Sequence, residues 1–346
     1  MSTTVLTAAN HELFRRPPEE QFGSFEELRA AAAEQRKRCR EVECRERDVL
    51  FSESGTIHLG DHAVQPMHYS LGQLAAMARV PMGLLERLKP ETRASVLNQT
   101  FPRGRKFKIG LADGDHLRAV TSDRYERVWD DELYDVLDRW LLPSGFIPAV
   151  PTMGGGEGQK PALFRSDRDS FAFFYSTEDP QDAFGGLRKG VVVFNSEVGA
   201  KSLGYSTFIF REVCGNFLIW GAEGVIEKRK RHTSTVRELF RSFDQELRTI
   251  SNQVSPLEYA VIEKAAQTPF VESGRPEDAA KRLHKEFGIP RDIVPEVLEA
   301  VRLPENPGDE SVWSYVNAIT STAKLEPYAE GRVALAATAG ELLSVR

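Results

Sequence analysis

Apolar positions along the chain fall into two rhythms. Val236, Leu239, Phe240, Phe243, Leu247 and Ile250 step by three and four, which predicts a helix with one buried stripe. Val312, Tyr315, Val316 and Ile319 repeat that spacing in 312–323, and the chain after residue 255 reads as helical patterns separated by prolines. Earlier, "SFEELRAAAAEQRKRCREVECRERDV" (24–49) predicts a solvated helix running into a strand near Val49. Ser24 is its candidate cap, with Glu27 three positions on. "MHYSLGQLAAMARVPMGLLERLKPE" (67–91) predicts two short helices, the second opened by Pro81, and 130–141 predicts another with acidic residues in its first turn.

The second rhythm is alternation. Residues 106–112 and 116–121 read as strands turned at Asp113-Gly114, and 166–179 holds a short apolar strand between polar flanks. In 205–212, Tyr205, Thr207, Ile209 and Arg211 share one face while Ser206, Phe208, Phe210 and Glu212 share the other. One face is expected to pack on a helix and the other to meet solvent or a ligand. Hairpins mixed with helices predict an α+β fold: antiparallel hairpins forming a mixed sheet packed by helices, with a helical C-terminal region. The expected division is an N-terminal arm and helix (1–45), an α+β core (46–255) and a helical region packed on it (256–346).

Composition sharpens this only in part. The 346 residues are ample for a buried core, and 41% hydrophobic with 28% charged residues is ordinary for a globular chain. No apolar run approaches the roughly 18–20 residues that cross a bilayer. The first residues lack a basic start followed by a long apolar core, so a cytoplasmic protein without membrane contact is expected. Cys39, Cys44 and Cys214 are too few for a disulfide scaffold, and the first two are placed on a helix. Histidines 58, 62 and 68 with Asp61 suit a metal only if a turn folds them back, so no metal and no cofactor are expected. The glycine-rich 151–161 run has neither phosphate-loop spacing and reads as a hairpin connection. Asp113 and Asp115 read as turn residues.

The net charge of −6 argues against a general coat for phosphate backbones, so a nucleic-acid role must rest on local patches. Two exist. "RGRKFK" sets Arg103, Arg105, Lys106 and Lys108 around an aromatic residue, and "EKRKRHTSTVREL" sets Arg229, Lys230, Arg231 and His232 before a helix start. "NSEVGAKS" (195–202) joins two strands as a loop that either simply turns the chain or places Glu197 and Lys201 beside a ligand. Asn216, at a bend, caps that bend or reads a base edge.

The series "VVVFNSEVGAKSLGYSTFIFREVCGNFLIW" followed by "RHTS" resembles a phage/plasmid-like family known as domain of unknown function 932. So do "HYSLGQLAAMARVPMGLLERL", "LRAVTSDRYERVWDDELYDVL" and "VWSYVNAITSTAKL…EGRVALAATAG"; Phe217 departs from the pattern, where a further glycine is expected. The resemblance implies a protein of phages, plasmids and mobile regions, placed among replication and recombination functions. The expectation is a non-enzymatic single-stranded DNA- or RNA-binding protein, annealing or protective, forming a homo-oligomer. Lys201, Arg211, Arg229, Lys230, Arg231, His232, Arg103, Arg105, Lys106 and Lys108 would meet phosphates. Asn195 and Asn216 would shape or read the site, and Tyr205 or Tyr125 would stack bases. The alternatives are a nucleotide- or nucleic-acid-processing enzyme with Glu197 and His232 as acid–base residues, and a protein-interaction module in host–phage conflict.

Overall fold

The computed structural model describes residues 16–104, 107–150, 160–178, 184, 186–211, 227–230, 236–250, 253–303, 308–325 and 329–343. It is an α+β fold with a helical C-terminal region, and its strands divide between two sheets.

Helix α1 (Phe25–Arg38) starts where expected. Ser24 Oγ accepts from the Glu27 amide, and the Glu27 carboxylate reaches back to the Gly23 amide. It ends sooner than expected. Cys39–Arg45 is strand β1, so both early cysteines lie on a strand. The charged run suits a solvated helix by composition, but Cys39, Val42 and Cys44 are buried and the strand pairs with β5 (Phe107–Asp113) through Cys39↔Asp113 to Arg45↔Phe107. Tertiary pairing overrides local preference here.

The first sheet runs β1-β5-β6-β4-β3-β2, with β2 at Val49–Phe51, β3 at Ile57–Leu59, β4 at His62–Pro66 and β6 at His116–Ser122. Strands β4 and β6 pair in parallel. Gly114 takes φ +61° in the β5–β6 turn, a conformation that side-chain-bearing residues rarely adopt. Helices α2 (His68–Ala78), α3 (Met82–Leu85) and α4 (Pro90–Thr100) cover this sheet through Leu74, Ala78, Leu85 and Leu97.

The second sheet runs β12-β11-β10-β9-β7, with β8 also paired to β9. The strands are β7 (Phe146–Pro148), β8 (Leu163–Arg165), β9 (Ser170–Ser176), β10 (Leu187–Asn195), β11 (Leu203–Arg211) and β12 (Glu227–Lys230). Helices α1, α5 (Asp130–Val136) and α6 (Val236–Thr249) pack on one face, where Phe174, Val191, Val193 and Tyr205 meet Phe25, Tyr134 and Phe243. The other face is closed as well. Ser206 and Phe208 are as buried as Tyr205, Thr207 and Ile209, so residues 205–209 present no open sheet surface, contrary to the alternation argument. The Phe208 ring lies directly on Gly190, where a Cβ would stand 2.0 Å from a ring carbon.

Helices α7 (Pro256–Gln267), α8 (Pro276–Lys285), α9 (Val294–Ala300), α10 (Val312–Leu325) and α11 (Ala329–Leu343) form the C-terminal region. Trp313, Val316, Ile319, Leu335 and Ile262 build one core that extends to Leu187 and Ile209 of the second sheet. Helix α10 is buried beyond its predicted stripe, with Ser314, Asn317, Thr320 and Thr322 also inside. Asn317, Thr320 and Thr322 donate to carbonyls one turn back, which makes their burial tolerable. Among the described residues no helix is long and apolar enough to cross a membrane.

Candidate nucleic-acid interface

Strand register gathers much of the predicted site at one end of the second sheet. Asn195 ends β10 opposite Ser170, and Phe194 lies opposite Gly204. Leu203 lies opposite Lys230 and Gly204 opposite Arg229. The ends of β8, β10 and β12 and the starts of β9, β11 and α5 therefore meet at one rim. Lys201 stands two residues before the strand that pairs with Lys230. Arg211 is at the far end of β11, opposite Leu187, on the order of 25–30 Å away at ~3.3 Å per residue. It does not join the group.

The loop between β10 and β11 is tightly built. Ser196 Oγ accepts from the Val198 and Ala200 amides, at 3.3 and 2.9 Å, and donates to the Arg168 carbonyl. Gly199 takes φ +85° with the Tyr125 ring 3.3 Å from where a Cβ would sit. The Tyr125 hydroxyl donates to the Ser196 carbonyl at 2.9 Å. Tyr125 is thus a clamp on the loop, and burial pushes its hydroxyl pKa well up. Asn195 is 0% exposed and its amide donates to Val128 O (2.9 Å) and Asp130 Oδ1 (2.8 Å). Tyr205 is 3% exposed, lies edge-on to Phe243 and donates its hydroxyl to Glu246. Tyr205 offers no open ring to a base, the half-buried Tyr125 is held against Gly199, and Asn195 has no amide hydrogen left over for a base.

Glu197 proves to be the centre of a buried ionic junction. One oxygen accepts from Arg118 at 2.7 Å, with both side chains 2% exposed. The other accepts from the Asp130 amide at 2.9 Å, in the first turn of α5, where the helix dipole favours an anion. Arg165 bonds Asp130 at 2.8 Å and Gln35 at 2.6 Å, and reaches Glu197 at 3.5 Å. Arg118 comes from the first sheet, Arg165 and Glu197 from the second, so the pairs tie the sheets together. Burial by itself would raise the Glu197 carboxyl, but Arg118 and Arg165 outweigh it and hold it below the ordinary glutamate range. Asp130 moves the other way, raised by burial and by the charge of Glu197 against the pull of Arg165 and Asn195. An ionised carboxylate with two guanidinium partners is a poor proton carrier, and this geometry ties strands together.

Beside these strand ends basic side chains lie near aromatic rings. Lys201 stands 5.8 Å from the centroid of Phe171, and Arg16 stands 5.6 Å from the same ring while pairing with Asp169 and Glu20. Arg168, which the sequence reading missed, is exposed with its guanidinium carbon 5.5 Å from the Tyr69 centroid. Its signal was the polar "SDRD" turn, which falls between β8 and β9 and beside the Ser196 loop.

The other basic patch stands apart. Arg103 clamps chain, donating to Val49 O (3.0 Å), Asn98 O (2.8 Å) and Arg47 O (3.4 Å). Lys108 is on β5 of the first sheet, opposite Cys44. Arg105, Lys106, Asn216, Arg231, His232, Cys214 and the glycines of 151–159 lie outside the described residues. His68 meets Glu86 at 3.2 Å, Asp113 pairs with Arg38, and no cluster suited to a metal occurs among the described residues.

These elements define a two-sheet α+β protein with a helical C-terminal region. No family model, curated protein or solved structure matches the chain.

Proposed function

We propose that this chain is a non-enzymatic single-stranded nucleic-acid-binding protein, and that the rim formed by Lys201, Arg229, Lys230 and Arg168 meets the phosphates. The observation that carries this reading is the register Leu203↔Lys230 and Gly204↔Arg229. It brings the basic β12, an edge strand among the described residues, to the corner where Lys201 and Arg168 stand. Local charge of this kind attracts a polyanion even when the whole molecule is acidic. The phage and plasmid resemblance is in keeping with a strand-handling role, whether annealing or protection. Of the enzyme alternative's two acid–base candidates, Glu197 has both oxygens engaged in structural bonds and His232 lies outside the described residues.

The test is a titration of fluorescently labelled single strands at roughly 50 and 200 mM salt. Affinity is expected to fall by about 0.7 log units per log unit of salt for each phosphate contact. Affinity that is absent at the lower salt, or unchanged between the two, removes the reading.

A further inference from the structure

The rim holds a feature that phosphate attraction does not use. The turn at 166–169 is fixed from several sides: Ser166 Oγ accepts from the amides of Arg168 (3.1 Å) and Asp169 (3.3 Å). The Ser166 amide donates to the Asp169 carbonyl at 3.0 Å, and Ser196 Oγ holds the Arg168 carbonyl at 2.5 Å. The Arg168 backbone is therefore rigid while its side chain is exposed. The guanidinium lies over Tyr69, which is half-buried and packs against Trp129, Val198 and the rest of a small core. Among the described residues no carboxylate forms an ion pair with Arg168, although Asp167 is exposed beside it. An exposed guanidinium 5.5 Å from a ring centroid can receive a second flat group on its plane.

We propose that Arg168, seated on Tyr69, is a nucleobase platform: an unstacked base lies on the guanidinium while Lys201 and β12 hold the flanking phosphates. This rests on the single-strand reading above and extends it. It makes the ligand a strand with intact, accessible bases, because bases paired inside a duplex present no face to such a platform.

The experiment compares two labelled oligonucleotides of equal length and equal phosphate number, one oligothymidylate and one fully abasic, by anisotropy. Proteins are the wild type, Arg168→Lys and Tyr69→Leu, each checked for an unchanged thermal melt. The wild type is expected to prefer the thymidylate strand by roughly 5- to 150-fold, the span that stacking of one base supplies. Arg168→Lys, which keeps the charge and loses the plane, should erase most of that preference and leave the salt slope unchanged. Tyr69→Leu should weaken it in the same sense. Equal wild-type affinity for the two strands overturns the platform and leaves the phosphate reading standing. Full preference in Arg168→Lys also overturns it. No wild-type binding to either strand overturns both.

Discussion

The junction between the two sheets and the C-terminal helical region solve the same problem with opposite chemistry. The helical region joins the second sheet through apolar burial, with Leu187 and Ile209 entering the core of Trp313, Val316 and Ile319 and the buried pair Lys189–Glu258 at the boundary. The junction joins the sheets through Arg118, Glu197, Arg165 and Asp130, all nearly inaccessible. Apolar contact is forgiving of small shifts, whereas buried charges need their partners in place. The difference teaches where the molecule demands geometric order: at the strand ends beneath the basic rim, where loop 196–202 must hold one shape.

The comparison breaks most visibly at Glu197. Glu197→Ala leaves two buried guanidinium groups without their shared carboxylate and is expected to cost about 3–5 kcal/mol. Urea unfolding measures it, and a loss below about 1 kcal/mol would show that the junction is not needed for cohesion. Gly190→Ala tests the closed sheet between the two regions. The methyl group must displace the Phe208 ring, with an expected cost of about 1–3 kcal/mol by the same method. In the helical region Ile319→Val removes one methyl from a fully buried side chain and should cost only about 0.5–1.5 kcal/mol.

Acid sharpens the contrast further. The Glu197 carboxyl has a folded pKa below its unfolded value, so its contribution is whole above about pH 4.3 and is lost as pH falls through the folded value. Asp130, raised, opposes this: its contribution weakens as pH rises through its unfolded value towards its folded one. The Glu197→Gln variant is expected to be less stable at neutral pH and to show a flatter decline below about pH 4.3 than the parent. Parallel declines in the two proteins would locate the acid sensitivity elsewhere.

Local order was legible where short-range chemistry decides it. The Ser24 cap, the turn at Asp113-Gly114 and the stripe through Val236, Phe243 and Leu247 all follow from residues a few positions apart. Cys39–Arg45 did not, because its charges match a helix and only pairing with β5 makes it a strand. The junction was not legible for a related reason: Glu197 and Arg118 are 79 residues apart, and nothing in either neighbourhood names the other. Asn195 and Tyr205 looked functional because a polar group in an apolar strand has two explanations, ligand or buried partner. Asp130 and Glu246 supply the second. Lys201 and Arg211 share a sequence stretch, but β11 carries them to opposite ends. Arg168, from another hairpin, is the residue that joins Lys201 at the rim.

The most direct measurement sets the two basic patches against each other. Single-strand affinity at about 50 mM salt is compared for the wild type, the double variant Arg229→Glu/Lys230→Glu and the single variant Arg103→Glu. The account predicts a large loss and a shallower salt slope for the β12 variant, with near wild-type binding by any folded Arg103→Glu protein. Wild-type affinity in the β12 variant would contradict the assignment of this rim as the nucleic-acid surface.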